Sequence, residues 1–232
     1  MTTETPRISE PQRGEVGDFV VQRLRDAILD GHFAPGQRLI TSALIDDVGV
    51  SRGTLREAFR QLAADGLVDL VPNRGAIVRR PSKKDLLDLF RIREALEGMA
   101  ARMAAESIGE GDNRARLEAM WTEARPTGAP LDAATFAQKN RLFHRTIVTL
   151  AGNSQLSELI DRMQLPMVML RLGRSLALED INLSMHEHVQ IFDAILAGDP
   201  DGADMAMRKH LQSSCARILV TSASMLKPER RA

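Results

Sequence analysis

Apolar positions in the first third of the chain recur at helical spacing in three runs and then alternate in two short ones. The first helical run reaches Ile28, and Gly31 ends it. The second is predicted over 41–48, and the third begins at an N-cap, Ser51, and extends to Asp65. The alternating runs lie on either side of a Pro-Asn-Arg-Gly turn, at 67–71 and 76–80. This order predicts three helices followed by a β-hairpin.

The pattern changes at Pro81. Ser82 and Asp85 form an S-x-x-D capping box, and beyond it the apolar spacing is helical almost to the C-terminus. The predicted helices lie at 82–107, 112–124, 132–151, 154–177, 184–197 and 200–225. Pro166 predicts a kink or a split in the fourth of these. The second half is therefore predicted to be an all-α bundle of six to seven helices.

Together the two patterns predict a mainly α protein of two domains. Residues 15–80 have the element order of a winged helix-turn-helix, 81–232 form the helical bundle, and the polar residues 1–14 are expected to be a flexible tail. A length of 232 residues allows each domain its own core.

Ser184 and Glu187 are expected to form a second capping box, at the start of a helix of the bundle.

Composition and charge exclude several classes of protein. The chain is 44% hydrophobic and 27% charged, as in an ordinary globular protein. Its single Cys excludes a disulfide framework. The sequence contains no run of about 18 apolar residues, so no membrane-spanning helix is predicted. Because the N-terminus also lacks the pattern of a signal peptide, we expect a cytoplasmic protein with no membrane contact. Lys and Arg balance Asp and Glu at 31 each, so the position of the charges matters more than their sum.

Positive charge is concentrated between residues 51 and 80, a segment that contains six Arg and only three acidic residues. Arg52 and Arg56 lie in the first turns of the third predicted helix, the end that a recognition helix presents to the major groove. An Arg side chain binds guanine in bidentate fashion. Arg74 and Gly75 lie at the hairpin tip, where a wing contacts a minor groove or a phosphate. The alternative for the two helix arginines alone is a solvated face, and the helix–turn–helix–hairpin order favours DNA.

Three histidines and one amide fall on core-facing positions of the predicted bundle. Asn140 and His144 are one helical turn apart, and both His188 and His210 align with apolar neighbours on their helices. Three imidazoles and an amide oxygen can hold a divalent transition metal, for which neutral imidazole is a suitable ligand. The alternative is that each histidine is a separate core residue with its own hydrogen bonds. The sequence pattern leaves both interpretations open.

The N-terminal segments LRDAILDGHFAPGQRL and GVSRGTLREAFRQLAADGLVDLVPNRGAIV closely resemble the winged-helix domain of GntR-family bacterial transcription regulators. The resemblance implies DNA contacts from the recognition helix and the wing, at Ser51, Arg52, Gly53, Thr54, Arg56 and Gly75. It also implies a repressor that binds an inverted-repeat operator in double-stranded DNA as a homodimer. One departure is Thr41-Ser42, where members often carry a charged residue, so the operator is expected to differ from the commoner ones.

The helical half resembles the FCD domain of the FadR subfamily, in the segments RIREALEGMAARMAA, NRLFHRTIVTLAGN and MHEHVQIFDAILAGDPDGADMAMRKHL. The resemblance implies a divalent metal, with zinc as the expected ion and nickel as the alternative. Its ligands would be Asn140, His144, His188 and His210, which lies 22 residues after His188. Members commonly have Asp where this chain has Asn140. Because the change removes a negative charge, weaker metal binding or another metal preference is expected.

The same resemblance implies a small carboxylate effector near the metal, with Arg93 and Arg171 as counter-charges. One alternative is a metal-dependent helical enzyme with an accessory DNA-binding-like domain. Against it, the ligand segments offer no convincing general base, since Glu187 is assigned to a cap and His186 to solvent. Another alternative is a purely structural metal, whose removal would unfold the bundle.

Overall fold

The computed structural model describes residues 13–29, 32–72, 74–125, 131–161, 177–221 and 226. The chain divides after Arg80 into two compact units, each of which is described by itself. The predicted fold class, a winged helix-turn-helix followed by a helical bundle, is confirmed. No helix within these described ranges is long and apolar enough to cross a membrane.

The first unit contains three helices and a small antiparallel sheet. In chain order its elements are α1 (Arg13–Leu29), β1 (Arg38–Leu39), α2 (Thr41–Val48), α3 (Arg52–Ala64), β2 (Val68–Val71) and β3 (Gly75–Val78). The strand order is β1-β3-β2, so the predicted hairpin forms and gains a third strand. The sequence pattern missed β1 because two residues are too few to alternate. Its pairing of Leu39 with Ala76 is set only in the folded sheet.

Helix α3 begins where the sequence predicts, because Ser51 caps it. The Ser51 side chain accepts a hydrogen bond from the backbone N–H of Thr54 at 3.1 Å. The apolar positions Leu55, Phe59 and Leu62 are buried against the rest of the unit. Since these residues occupy one face of α3, its N-terminal arginines are left on the surface.

The second unit is helical in every element that the described residues contain. These elements are α4 (Lys83–Glu106), α5 (Asn113–Ala124), α6 (Ala133–Leu150), α7 (154–161), α8 (Leu178–Leu196) and α9 (Pro200–Thr221). The capping box of Ser82 and Asp85 begins α4 as predicted. The kink predicted at Pro166 lies outside the described residues.

The start of α8 differs from the prediction. The helix begins at Leu178 rather than at 184, because Ile181 and Met185 continue its buried stripe towards the N-terminus. Ser184 and Glu187 are therefore buried in the middle of the helix, and the capping box predicted for them is wrong. This difference matters for function, because it leaves the Glu187 carboxylate available for partners on another helix.

The core of the second unit is apolar and contains an aromatic stack. Helix α4 packs along α9 and α6, and Phe90, Phe143 and Ile191 are buried in one cluster. The only Trp of the chain, Trp121, stacks on Phe192 with ring centroids 4.8 Å apart. Its fluorescence therefore reports on the packing of this unit.

Candidate DNA-binding surface and metal centre

The first turn of α3 and the tip of the hairpin line one surface groove in the first unit. Arg52, Gly53 and Arg56 contribute from α3, Thr41 from the start of α2, and Gly75 from β3. The groove has a volume of about 710 Å³ and is lined further by Phe59, Leu70, Val71 and Pro72. The fold thus brings Arg52, Gly53 and Arg56, three of the recognition-helix residues predicted from the sequence, to the same groove as Gly75 of the wing.

The side chains of this groove are arranged to meet an anionic partner. Arg52 and Arg56 are exposed, and among the described residues neither forms an ion pair, whereas Arg60 on the same helix binds Glu57 at 2.8 Å. Unpaired guanidinium groups retain their donors for bases and phosphates. Thr54 is half-buried, with its hydroxyl 2.9 Å from that of Ser51.

The wing is a tight turn that requires glycine. Gly75 has a φ of 78°, in the left-handed region, so a side chain there would strain the turn. The backbone N–H of Arg74 donates to the carbonyl of Val71 at 3.0 Å, which closes the turn. The Arg74 side chain is exposed at the tip. A basic side chain at a hairpin tip can contact a phosphate or a minor groove.

Three buried histidines meet in the interior of the second unit. His144 comes from α6, His188 from α8 and His210 from α9, and their exposed fractions are 4%, 1% and 2%. One ring nitrogen from each lies within 4.8 Å of the others, so a single ion could contact all three. The histidines predicted from separate helices are thus brought together in the structure.

A carboxylate orients His144 within this cluster. Its Nδ1 lies 2.7 Å from Oε2 of Glu97 on α4, and the other oxygen of Glu97 accepts from Nε of Arg93 at 2.7 Å. Burial raises the pKa of Glu97, but Arg93 and His144 outweigh that effect and hold the pKa well below its usual range. Because an ionised carboxylate only accepts, Nδ1 of His144 donates, and Nε2 is the ring nitrogen left to bind an ion.

A second carboxylate orients His210 in the same way. Nδ1 of His210 lies 2.8 Å from Oε2 of Glu187, and Arg217 binds both oxygens of Glu187 at 3.0 and 3.2 Å. Burial opposes ionisation of Glu187, but the hydrogen bonds from His210 and Arg217 lower its pKa to about 2. Burial also lowers the pKa of His210 to about 4, so this imidazole is neutral near pH 7 and can act as a ligand.

The donor set fits a divalent transition metal. Neutral imidazoles whose second ring nitrogen donates to a carboxylate are the usual form of histidine ligands, and the carboxylate fixes the tautomer and the ring orientation. Nitrogen donors without a thiolate suit zinc and nickel. Asn140 is buried one turn before His144 and lines a pocket of about 40 Å³ together with Ser184 and Arg217.

The predicted effector arginines have different positions. Arg93 is buried, pairs with Glu97, and lies with its guanidinium carbon 5.0 Å from the centroid of the Phe90 ring. Its charge is therefore shared with a protein carboxylate. Arg171 lies outside the described residues.

Sequence reasoning missed Glu97, Glu187 and Arg217. The spacing of Arg93 and Glu97, four residues apart on a core-facing stripe, is a signal that could have indicated a buried ion pair. Glu187 was assigned to a cap that does not form. Arg217 lies seven residues after His210 on α9, and no local pattern separates it from a surface arginine.

A winged helix-turn-helix with exposed arginines on its recognition helix, joined to a helical domain, defines a DNA-binding regulator of transcription. Residues 17–78 match the family described as bacterial regulatory proteins, gntR family, and residues 88–213 match the FCD domain. The chain belongs to the GntR family of transcriptional regulators, and its FCD domain is consistent with the FadR-like subfamily.

Known relatives agree with this assignment. The chain is 33% identical over 201 residues to a "Probable D-xylose utilization operon transcriptional repressor" of Paenarthrobacter nicotinovorans, covering 85% of this chain and 84% of that protein. It is 28% identical over 212 residues to the HTH-type transcriptional repressor RspR of Escherichia coli K12, covering 91% of each. These relatives are regulators, so the protein is not an enzyme and the enzyme alternative is set aside.

A solved structure supports the same fold. The chain superposes with a TM-score of 0.73 on a GntR transcriptional regulator from Rhodococcus sp. RHA1. The two chains are 28% identical, and the match covers 88% of this chain and 97% of the other.

Proposed function

We propose that this protein is a transcriptional repressor that binds an inverted-repeat operator as a homodimer and responds to a small carboxylate effector at a divalent metal. The observation that carries the effector half is the cluster of His144, His188 and His210, two of which are oriented by buried carboxylates. Repression is proposed because relatives such as RspR are transcriptional repressors.

The DNA half of the proposal rests on the groove of the first unit. Arg52 and Arg56 read base edges in the major groove, while Gly53 lets the backbone approach and Ser51 and Thr54 contact phosphates near the helix N-terminus. The wing, Arg74 and Gly75, contacts the adjacent backbone or minor groove. A two-fold symmetric dimer places two such heads on the two halves of an inverted repeat.

The effector half assigns the metal to Asn140 and the three histidines, with zinc as the expected ion and nickel as the alternative. When bound, such an ion supplies an electrophilic centre for a carboxylate oxygen. Arg93 pairs with Glu97 and so holds in place the carboxylate that orients His144. Effector and DNA binding are linked, so each changes the affinity for the other by the same factor.

One experiment tests the proposal. Protein loaded with zinc is used to select binding sites from a random duplex library, and the Kd for the selected duplex is measured by fluorescence anisotropy with acetate or with chloride at equal ionic strength. The expected result is an inverted repeat whose Kd changes with acetate, but only in the zinc-loaded protein. Selected sites without two-fold symmetry would contradict the homodimer. The same acetate effect in zinc-free protein would contradict a metal-held effector.

A further inference from the structure

The groove between α3 and the wing has a basic wall and an apolar floor. Arg52 and Arg56 lie on the α3 side, and the described residues that line the groove include no carboxylate. The floor is formed by Leu70, Val71 and Pro72, from the end of β2 and the turn after it. Leu70 is 48% exposed, and Pro72 is exposed beside it. The groove therefore offers apolar contact next to positive charge.

Each strand of a DNA duplex presents the matching alternation of charge and apolar surface. Its phosphates are anionic, and the deoxyribose rings between them expose C–H groups. When a recognition helix enters the major groove and a wing enters the neighbouring minor groove, the sugar–phosphate backbone of one strand lies between the two elements. The concave surface between α3 and Gly75 therefore faces a backbone rather than base edges.

Thr41 brings a hydroxyl group to the wing side of the groove. It is the first residue of α2 and lines the groove together with the α3 arginines. Its Oγ1 lies 3.8 Å from the position that a Cβ on Gly75 would occupy. A hydroxyl at this place can donate to a phosphate oxygen, and such a charge-assisted hydrogen bond is stronger than one between neutral groups.

We propose that the groove holds the sugar–phosphate backbone of one operator strand, with Leu70 packed against a deoxyribose and the Thr41 hydroxyl bonded to an adjacent phosphate. The proposal rests on the DNA half of the proposed function. It adds two residues that the resemblance to GntR regulators does not assign to DNA. Because both contacts are to the backbone, they raise the affinity for every sequence and leave base readout to Arg52 and Arg56.

The first test is Leu70→Ala in the full-length protein, with Kd measured by fluorescence anisotropy on the selected operator and its single-base variants. Loss of the apolar contact should weaken binding to all of these duplexes equally, by about threefold to tenfold. The salt dependence of Kd should not change, because a leucine neutralises no phosphate. Circular dichroism and the thermal unfolding midpoint show that the variant is folded.

Two further variants are the controls for Leu70→Ala. Leu70→Met keeps an apolar side chain of similar size and should retain the wild-type Kd. Phe19→Ala removes another exposed apolar side chain of the first unit, on α1 and outside the groove, and should leave Kd unchanged. A wild-type Kd in folded Leu70→Ala would overturn the contact from Leu70.

A modified duplex separates a sugar from a base as the partner of Leu70. Replacing the thymines of the operator with deoxyuridine removes their methyl groups, which apolar side chains contact in the major groove. The effect of Leu70→Ala should be the same on both duplexes. An effect that disappears with deoxyuridine would overturn the backbone contact in favour of thymine recognition.

Thr41 is tested by combining a variant with a modified phosphate. Thr41→Val removes the hydroxyl and keeps the shape of the side chain, and methylphosphonate linkages remove the charge of one phosphate at a time along a half-site. At one phosphate the two changes should be non-additive by at least about threefold in Kd, because both weaken the same hydrogen bond. Thr41→Ser keeps the hydroxyl and should respond like the wild type. Additive effects at every phosphate would overturn the contact from Thr41.

Failure of this proposal differs from failure of the proposed function. A wild-type protein that selects no operator would overturn the DNA half of the proposed function, and this proposal with it. A protein that selects an operator, but whose Leu70→Ala and Thr41→Val variants bind it as the wild type does, would overturn this proposal alone.

Discussion

Nδ1 of His144 lies 2.7 Å from Oε2 of Glu97, although 47 positions separate the two residues in the chain. Their side chains are 4% and 1% exposed, so the contact is buried between α6 and α4. It fixes the orientation of the imidazole, and Glu187 does the same for His210. Two of the three proposed metal ligands are therefore oriented by buried carboxylates of the protein.

Removing the charge of Glu97 should destabilise the metal-free protein. Glu97→Gln leaves the guanidinium of Arg93 buried without an anionic partner, and breaking a buried pair in this way costs about 3–5 kcal/mol. The free energy of unfolding is measured by urea titration, followed by the fluorescence of Trp121. Asp88→Asn on the same helix, in an exposed ion pair, is the control and should change little. A wild-type stability in Glu97→Gln would show that the pair does not contribute.

Two histidines on α8 offer a matched test of the metal site. His188 is 1% exposed in the cluster, whereas His186 is exposed, with its Nε2 3.3 Å from Nε2 of Gln190. His188→Ala should lose bound zinc during dialysis because one of three imidazole ligands is gone, and His186→Ala should retain about one zinc per chain. Elemental analysis of both folded variants gives the answer. Full zinc occupancy in folded His188→Ala would reject the proposed ligand set.

The parts of the fold that the sequence predicted are those with strong local signals. Ser51 caps α3 through a contact three residues away, and Ser82 caps α4 in the same manner. The start of α8 was wrong because a Ser-x-x-Glu pair resembles a cap wherever it occurs. Only the burial of Glu187 against α9 distinguishes the two cases.

The candidate site, like the fold, was predictable only where the signal is local. Helical phase alone placed His144, His188 and His210 on core-facing positions, and the structure brings them together. The carboxylates that orient them could not be found in this way. Glu97 meets His144, which lies on another helix, only in the folded unit, and a charged side chain at that spacing is exposed far more often.

Arg217 is expected to act on the metal through Glu187 and His210. Its guanidinium binds both oxygens of Glu187, a geometry that a lysine ammonium cannot reproduce. Arg217→Lys should therefore weaken cobalt or zinc affinity by about tenfold or more, with a change in the visible spectrum of the cobalt-loaded protein as His210 reorients.

Arg208→Lys is the control for this prediction, because Arg208 lies on the same helix and binds Asp204 at 2.7 Å at a partly exposed position. Its metal affinity and cobalt spectrum should match the wild type. If Arg217→Lys shows the wild-type spectrum and affinity as well, Arg217 stabilises the fold without positioning His210.

The exposed arginines of α3 should separate into two that read DNA and one that does not. Arg52 and Arg56 line the groove beside Gly75, while Arg60 is held by Glu57 farther along the helix. Arg52→Ala and Arg56→Ala should each weaken specific operator binding by about 1–3 kcal/mol and relax the preference at one base pair, because a bidentate contact to guanine is lost. Arg60→Ala should retain the wild-type preference at every position.

Fluorescence anisotropy on the selected operator and its single-base variants, at two salt concentrations, separates base contacts from phosphate contacts. Loss of a phosphate contact alone would weaken binding to all sequences equally and lower the salt dependence of the affinity. A uniform loss of that kind in both Arg52→Ala and Arg56→Ala would assign the base contacts to other residues.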